Sequence, residues 1–242
     1  MNDHERLFRD PAMRAVVGKK ALERNAASQK NVSRFETLAE EENIRALAAI
    51  NHAWAARAMR VTKGNDVILD MDSQESPVHG SRERSAYNGH FCSRCHHPLF
   101  VFCQHGDCEG ATLRPGNVHS ADGWRSLLEP IVERYKDPGR KLYFRRDAAF
   151  ASPDMYGYLE EEGILYAIRI KANSRLYDHV EHLLTRPVGR PYARPKVIYH
   201  DFSYRAGSWD RSRRIIAKIE WHQGELFPRA GFIMTNLKGK PK

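Results

Sequence analysis

Three aspartates stand where the chain is otherwise apolar. Val67-Ile-Leu-Asp-Met-Asp72 is a short hydrophobic run carrying Asp70 and Asp72, and it reads as a strand buried on both faces. Strand side chains alternate, so two acids two residues apart leave the same face. Asp147 closes a second apolar strand, Leu142-Tyr-Phe144, just before a turn. If those strands are neighbours, carboxylates converge at one edge of a sheet. Such a pair is costly unless it holds a divalent cation, and oxygen ligands favour magnesium or manganese. Two metals held this way suit in-line phosphoryl transfer, one activating the attacking oxygen and one stabilising the leaving oxygen. The competing reading makes these acids strand-end salt-bridge partners, and spacing alone leaves both open.

A second cluster is Cys92-x2-Cys95-x7-Cys103-x4-Cys108, with His96, His97 and His105 nearby. It contains a CxxC and enough ligands for zinc. Zinc-finger spacing repeats the close pair, however, and here the second pair lies four residues apart across a turn. Ordinary reduced cysteines are therefore preferred to a zinc site.

Basic residues form a third group. From Arg186 to Lys242 there are 13 basic residues against 4 acidic ones, whereas residues 1–185 hold 26 of each. The formal charge of +9 is thus regional, and regional basicity points to a polyanion. Arg211, Arg213 and Arg214 surround a turn near Trp209 and Trp221, with Lys218 on the strand that follows. Basic residues interleaved with aromatics suit backbone contact and stacking on DNA. Arg114 is a further candidate for a phosphate, with a turn-fixing salt bridge as its alternative.

The elements that must position these groups follow from periodicity. Residues 1–62 read as helical: Met13, Val16, Val17 and Ala21 recur at helical spacing, and a second helix runs from about Thr37 to Met59. Its apolar face is Leu38, Ile44, Leu47, Ile50 and Trp54, and Ser33-Arg-Phe-Glu36 reads as a capping box. Lys63-Gly-Asn-Asp66 breaks the pattern. Residues 73–90 read as a loop, Pro98–Cys103 and Cys108–Leu113 as a hairpin, and about 120–135 as a helix. Lys141–Arg146 is a strand, Ser152-Pro153-Asp154 starts a helix that Gly163 ends, and Ile164–Ile170 is a strand. A mixed sheet flanked by helices follows. After residue 171 come a short helix, a Pro/Gly linker at 186–191, and strands near 197–204, 213–221 and 230–236 forming an antiparallel β subdomain. The expected division is 1–62, 63–171 and 172–242.

Composition narrows the class. At 41% hydrophobic and 29% charged the chain is globular in composition. It carries no apolar run of membrane-spanning length, and its N-terminus lacks a signal-peptide core. With four clustered cysteines that do not resemble a secreted disulfide framework, a cytoplasmic location is expected.

Several segments together resemble the DDE transposases of bacterial insertion sequences, specifically the group 1 DDE transposase domain. They are Val67–Ser73, Ser85-Ala-Tyr-Asn-Gly-His90, His97-Pro-Leu-Phe100, Leu113–Trp124, Phe144-Arg-Arg-Asp-Ala-Ala-Phe150, Thr185–Arg190, Trp221-His222 and Thr235-Asn236. The resemblance implies an RNase H-like catalytic core that cuts and joins DNA at transposon ends with Mg2+ or Mn2+. It implies Asp72 as first catalytic acid and metal ligand, Asp147 as second, and Asp70 as a supporting neighbour. DNA is the implied partner, and homo-oligomers are compatible with it. The family's third acid, a Glu, lies on a helix after the β insertion, and the chain ends at Lys242 ahead of that position. Met1 likewise reads as an internal start. The expectation is a central transposase fragment, truncated at both ends, that keeps the fold and part of the metal site but is catalytically silent. The alternatives are a non-catalytic DNA-binding remnant and a zinc-stabilised binding module.

Overall fold

Alternation along the longer strands gives the larger of two sheets a covered face and an open one. The computed structural model describes residues 6, 8–18, 23, 28–61, 66–80, 82–137, 139–186, 188–189 and 194–241. Ala21, the break at 63–65, and linker residues 187 and 190–191 lie outside the described residues. The chain divides into two units, residues 1–54 and residues 55–242.

In the first unit, α1 (Pro11–Val17) starts where Asp10 accepts a hydrogen bond from the Met13 amide, with Pro11 at the first helical position. Helix α2 (Gln29–Leu38) is capped by Ser28, which accepts from the Asn31 amide. The cap expected at Ser33 is therefore displaced by more than a turn. Ser33 lies inside α2, and its carbonyl accepts the Thr37 hydroxyl at 2.9 Å. The chain breaks at residues 39–40 and restarts as α3 (Glu41–Val61), where Asn43 accepts from the Glu40 amide at 2.9 Å. Glu41 and Glu42 occupy its first turn, as the helix dipole favours. Ile44, Leu47, Ile50 and Trp54 keep their helical spacing but are exposed.

The second unit opens with the end of α3, whose Ala55 and Met59 are buried. Strand β1 (Val67–Ser73) follows, then β2 (Ser76–Pro77), β3 (Ala86–Asn88), β4 (Ser93–His96), β5 (Leu99–Cys103), β6 (Cys108–Thr112), α4 (Trp124–Tyr135), β7 (Leu142–Arg146), a 3-10 turn at Ala148–Phe150, α5 (Pro153–Glu161), β8 (Leu165–Ile170), α6 (Ser174–Asp178), a 3-10 turn at Glu181–Leu183, β9 (Lys196–Tyr204), β10 (Arg213–Trp221) and β11 (Arg229–Thr235). Ser152 caps α5 by accepting from Met155, with Pro153 in the first turn.

The large sheet runs β6-β5-β1-β7-β8-β11-β10-β9. Its first five strands in space have β5 antiparallel to β1, and β7 and β8 parallel to β1. Numbered within that core they read 3-2-1-4-5 with the second strand reversed, which is the RNase H-like arrangement. The last three strands pair antiparallel. They join the core's edge where Phe232 meets Ile170 across β11 and β8, so they extend the same sheet. Asn236 fastens that seam, accepting from the Tyr166 amide at 2.8 Å and donating to the Ile164 carbonyl at 2.8 Å, while the Thr235 hydroxyl donates to the Tyr166 carbonyl. Each such bond contributes on the order of 1 kcal/mol.

Alternation sorts the two faces. Val67, Leu69 and Met71 of β1 share a core with Leu128 and Val132 of α4 and with Met155 and Leu159 of α5. Ile68 and Asp70 are half-buried and Asp72 is exposed. Strand β1 is therefore buried on one face, not both. The helices lie on the face of its odd-numbered residues, and the acids occupy the other.

The region expected as a loop holds β2, β3 and β4 in a small sheet of order β2-β4-β3. It is assembled by distant contacts. Asn88 donates to the Gly116 carbonyl at 2.6 Å and accepts from the His90 amide. A Cβ on Gly116 would stand 2.3 Å from the Cys95 carbonyl oxygen and 2.5 Å from that of Ala86. Only glycine permits this approach.

Candidate active site

Parallel register brings the aspartates together. Strands β1 and β7 pair from Val67 opposite Leu142 to Asp70 opposite Arg145. The same offset carried two residues further sets Asp72 beside Asp147, at the carboxyl ends of adjacent parallel strands. In open α/β sheets, this is the end at which ligands bind.

The three acids differ in their partners. Asp70 receives a bidentate pair from Arg145, with Nε to Oδ1 at 2.9 Å and Nη2 to Oδ2 at 2.6 Å. That bond holds the Arg145 guanidinium above its ordinary pKa. Both Asp70 oxygens are thus occupied by Arg145. Asp72 is more open, its side chain 69% exposed. Its Oδ1 accepts from the Ser73 amide at 2.9 Å and from Arg146 Nη2 at 3.2 Å. Asp147 caps the 3-10 turn, its Oδ1 accepting from the Ala149 amide at 3.1 Å and from the same Arg146 Nη2 at 3.4 Å. One nitrogen thus reaches both carboxylates.

Arg146 has the opposite parity to Arg145, so its stem leaves on the helix side. Its guanidinium lies 3.9 Å over the Phe150 ring and its side chain is only 6% exposed. Burial lowers its pKa, against the raising effect of Asp72 and Asp147. Its Nε is buried with no hydrogen-bond partner. The edge between Asp72 and Asp147 therefore already stabilises a partly desolvated cation. Two exposed carboxylates converging on one positive charge are hard oxygen donors of the kind that Mg2+ or Mn2+ takes, so the residues fit a divalent ion. Among the described residues there is no group of three or more His, Cys, Asp and Glu side chains that could hold a metal. Asp72 and Asp147 stand as a pair.

Two grooves flank this pair. One, of about 710 Å³, is bordered by Asp70, Asp72, Arg145, Arg169, Lys218 and Glu220. The other, of about 660 Å³, is bordered by Asp147, His90, His119, Arg169 and Lys171. Arg145, Arg146, Arg169 and Lys171 carry no role in the sequence reading. The signal that finds them is parallel register, which needs the strand pairing to be known.

The basic candidates are placed differently from expectation. Arg213 shares the parity of Ile215, Ala217 and Ile219, so it points into the helix-covered face and is buried. It bonds Glu160 of α5 through Nε at 3.0 Å and Nη2 at 3.0 Å, and Asp210 through Nη1 at 2.8 Å. Its guanidinium packs over Tyr156 and Trp209. Burial alone would depress its pKa, but Glu160 and Asp210 outweigh that and raise it. Arg213, expected at a DNA-contacting turn, is thus buried and paired within the fold. Arg211 also pairs with Glu160 and Asp210. Arg214 pairs with Asp201 and donates to the Leu237 and Gly239 carbonyls. Lys218 borders the first groove but bonds Glu220 at 2.8 Å.

Arg114, a candidate for either a phosphate contact or a turn-fixing role, is buried and holds backbone. Its Nε donates to the His97 carbonyl at 2.8 Å, and its Nη1 to the carbonyls of Ser120 and Asp122 at 3.0 and 2.5 Å. It fixes the loop that brings His119 and Ser120 to the second groove. The cysteines spread over different environments: Cys95 and Cys103 are buried, Cys108 is intermediate and Cys92 is exposed. Among the described residues, no helix is long and apolar enough to cross a membrane.

Comparison with known proteins completes the placement. A family model described as transposase DDE domain group 1 matches residues 1–242. No curated protein matches the chain. Among solved structures, the chain is similar to that in the cryo-EM structure of the piggyBac transposase synaptic complex with hairpin DNA, at 14% identity and a TM-score of 0.40. That alignment covers 83% of this chain and 41% of the other, so this chain spans about two fifths of its length. The sheet carries a carboxylate pair at its carboxyl edge, and the family model spans the whole chain: the protein belongs to the group 1 transposase DDE domain family.

Proposed function

We propose that the chain carries the DNA strand-cleavage and strand-transfer core of an insertion-sequence transposase, with Asp72 and Asp147 as its two metal-binding carboxylates. The observation that carries this reading is the convergence of both on Arg146 Nη2 at the carboxyl ends of β1 and β7. When bound there, Mg2+ or Mn2+ supplies charge stabilisation and activation of an attacking oxygen. The residues of the chain orient the site. The Ser73 and Ala149 amides each hold one carboxylate oxygen. The Arg145 bond occupies both Asp70 oxygens, and Arg146 offsets one of the pair's two negative charges before a divalent ion enters.

The partner in this reading is DNA, and its phosphodiester strand lies in the two grooves. A third carboxylate does not reach the pair from the described residues. Glu220 borders the first groove, but β10 is four strands from β1, roughly 19 Å at normal strand spacing. Glu160 is committed to Arg213, Arg211 and the Tyr166 hydroxyl. With one anionic donor short, a large part of the preorganised charge stabilisation is lost. The chain by itself is therefore proposed to bind DNA while cutting it slowly or not at all.

The test is a gel shift and a nicking assay on labelled DNA. The expected result is retention that weakens as salt rises, with no cut product in Mg2+ or Mn2+. Cleavage or joining that vanishes in Asp147→Ala would overturn the silent state. Absence of any salt-dependent retention would overturn the DNA-processing reading itself.

A further inference from the structure

We infer that Arg169 and Lys171, on and just beyond β8, form the phosphate-contact track that leads a DNA strand to Asp147. This rests on the DNA-processing reading above and specifies where the strand runs. Register supplies the first argument. Strands β7 and β8 pair from Tyr143 opposite Leu165 to Arg146 opposite Ile168, so the next step sets Arg169 beside Asp147. Asp72, Asp147 and Arg169 then form a row across three adjacent parallel strands. Lys171 lies two residues on, just past the end of β8, and borders the same groove as Arg169 and Asp147.

Charge supplies the second argument. Both side chains are exposed, and among the described residues neither has an ion pair or a side-chain hydrogen bond. Their basic neighbours are all committed: Arg145 to Asp70, Arg146 to Asp72 and Asp147, Lys218 to Glu220, Arg229 to Glu225. At this edge, the positive charge not already neutralised is therefore that of Arg169 and Lys171. An anion meeting them breaks no existing salt bridge.

Shape supplies the third. Arg169 borders both grooves, so it stands where they meet, and Ala230 and Gly231 border both beside it. Gly231 carries no side chain, and nothing lies within 4 Å of where its Cβ would stand, so the floor there is low enough for a chain of phosphates to cross between the grooves. The guanidinium fork matches two non-bridging phosphate oxygens, and the lysine adds a point charge. Together they would hold consecutive phosphates, with the first next to the carboxylate pair.

The experiment is fluorescence anisotropy with a labelled DNA duplex of arbitrary sequence, titrated across a range of KCl. In wild-type protein the logarithm of the binding constant should fall linearly with the logarithm of salt. Arg169→Ala and Lys171→Ala should each flatten the slope by about 0.9, and the double variant by about twice that. Arg169→Lys keeps a charge and should keep the slope, as should Arg211→Ala, whose partner is Glu160. Thermal melting should be unchanged in the Arg169 and Lys171 variants because both side chains are exposed. A salt-dependent wild type with unaltered slopes in both alanine variants would overturn the track and leave the DNA-processing reading standing. A wild type without salt-dependent binding would overturn both.

Discussion

The C-terminal strands and the carboxyl edge of the core make opposite use of charge. Residues 186–242 hold 13 basic and 4 acidic side chains, yet all four acids are spent on that excess: Asp201 on Arg214, Asp210 on Arg213 and Arg211, Glu220 on Lys218, Glu225 on Arg229. Glu160, from the formally neutral part of the chain, crosses over to take Arg211 and Arg213 as well. The carboxyl edge belongs to that neutral part, but it leaves Arg169 and Lys171 unmatched beside two open carboxylates. Net charge counted along a sequence therefore locates a basic region without locating free charge. Burial and pairing decide which arginines can receive a phosphate.

This contrast predicts where substitutions cost stability and where they cost binding. The largest effect is expected from Glu160→Ala, which leaves the buried Arg213 guanidinium with Asp210 as its remaining acidic partner. Removing one partner of a buried pair costs about 3–5 kcal/mol, read as a drop in melting temperature or urea midpoint. Arg114→Ala comes next. It leaves the His97 and Asp122 carbonyls without their donor, at about 1–3 kcal/mol, and urea unfolding should report the loss. Neither residue borders the grooves, so a change in the salt slope of DNA binding that exceeds the loss of folded protein would contradict this assignment.

The same pair sets an acid limb. Burial alone would raise the Glu160 pKa, but Arg213, Arg211 and Tyr166 outweigh it and hold the carboxyl below the usual range. A depressed folded-state pKa contributes stability that is complete above the ordinary glutamate value and is lost as pH falls through the lowered one. Unfolding followed from neutral pH downward should show that loss in wild type, and Glu160→Gln should flatten it. The smallest effect belongs to Arg214→Ala. Its partner Asp201 is 43% exposed, and such pairs contribute about 0–1 kcal/mol. A large destabilisation in this variant would show that the C-terminal strands depend on it more than surface pairing allows.

Much of the fold was legible because strands of five to nine residues declare their period. The order of β1, the β5–β6 hairpin, β7, α5 and β8 followed from alternation and from the Ser152-Pro153-Asp154 start. The small sheet was not legible. Strands β2 to β4 are two to four residues long, and they exist because Asn88, Gly116 and the Arg114 clamp fold distant segments onto them. The burial of β1 was misread because an apolar run does not reveal whether helices cover one face or two. At the site, Asp72 and Asp147 were visible as strand-end acids. Arg145, Arg146 and Arg169 were not, since their meaning comes from register with β1 and β7. Arg213 could have been read correctly: its parity with Ile215, Ala217, Ile219 and Trp221 already assigns it to the covered face.

The carboxylate pair is tested most directly by Mn2+ binding, followed by electron paramagnetic resonance on wild-type protein, Asp72→Asn, Asp147→Asn and Asp70→Asn. Losing a partner that only orients a ligand costs roughly 10–100-fold in metal affinity, and losing a ligand should cost more. Wild type should bind Mn2+, and both Asp72→Asn and Asp147→Asn should weaken it beyond that range. Asp70→Asn, whose side chain is held by Arg145, should stay within it. Equal Mn2+ binding in wild type and Asp147→Asn would contradict the pair.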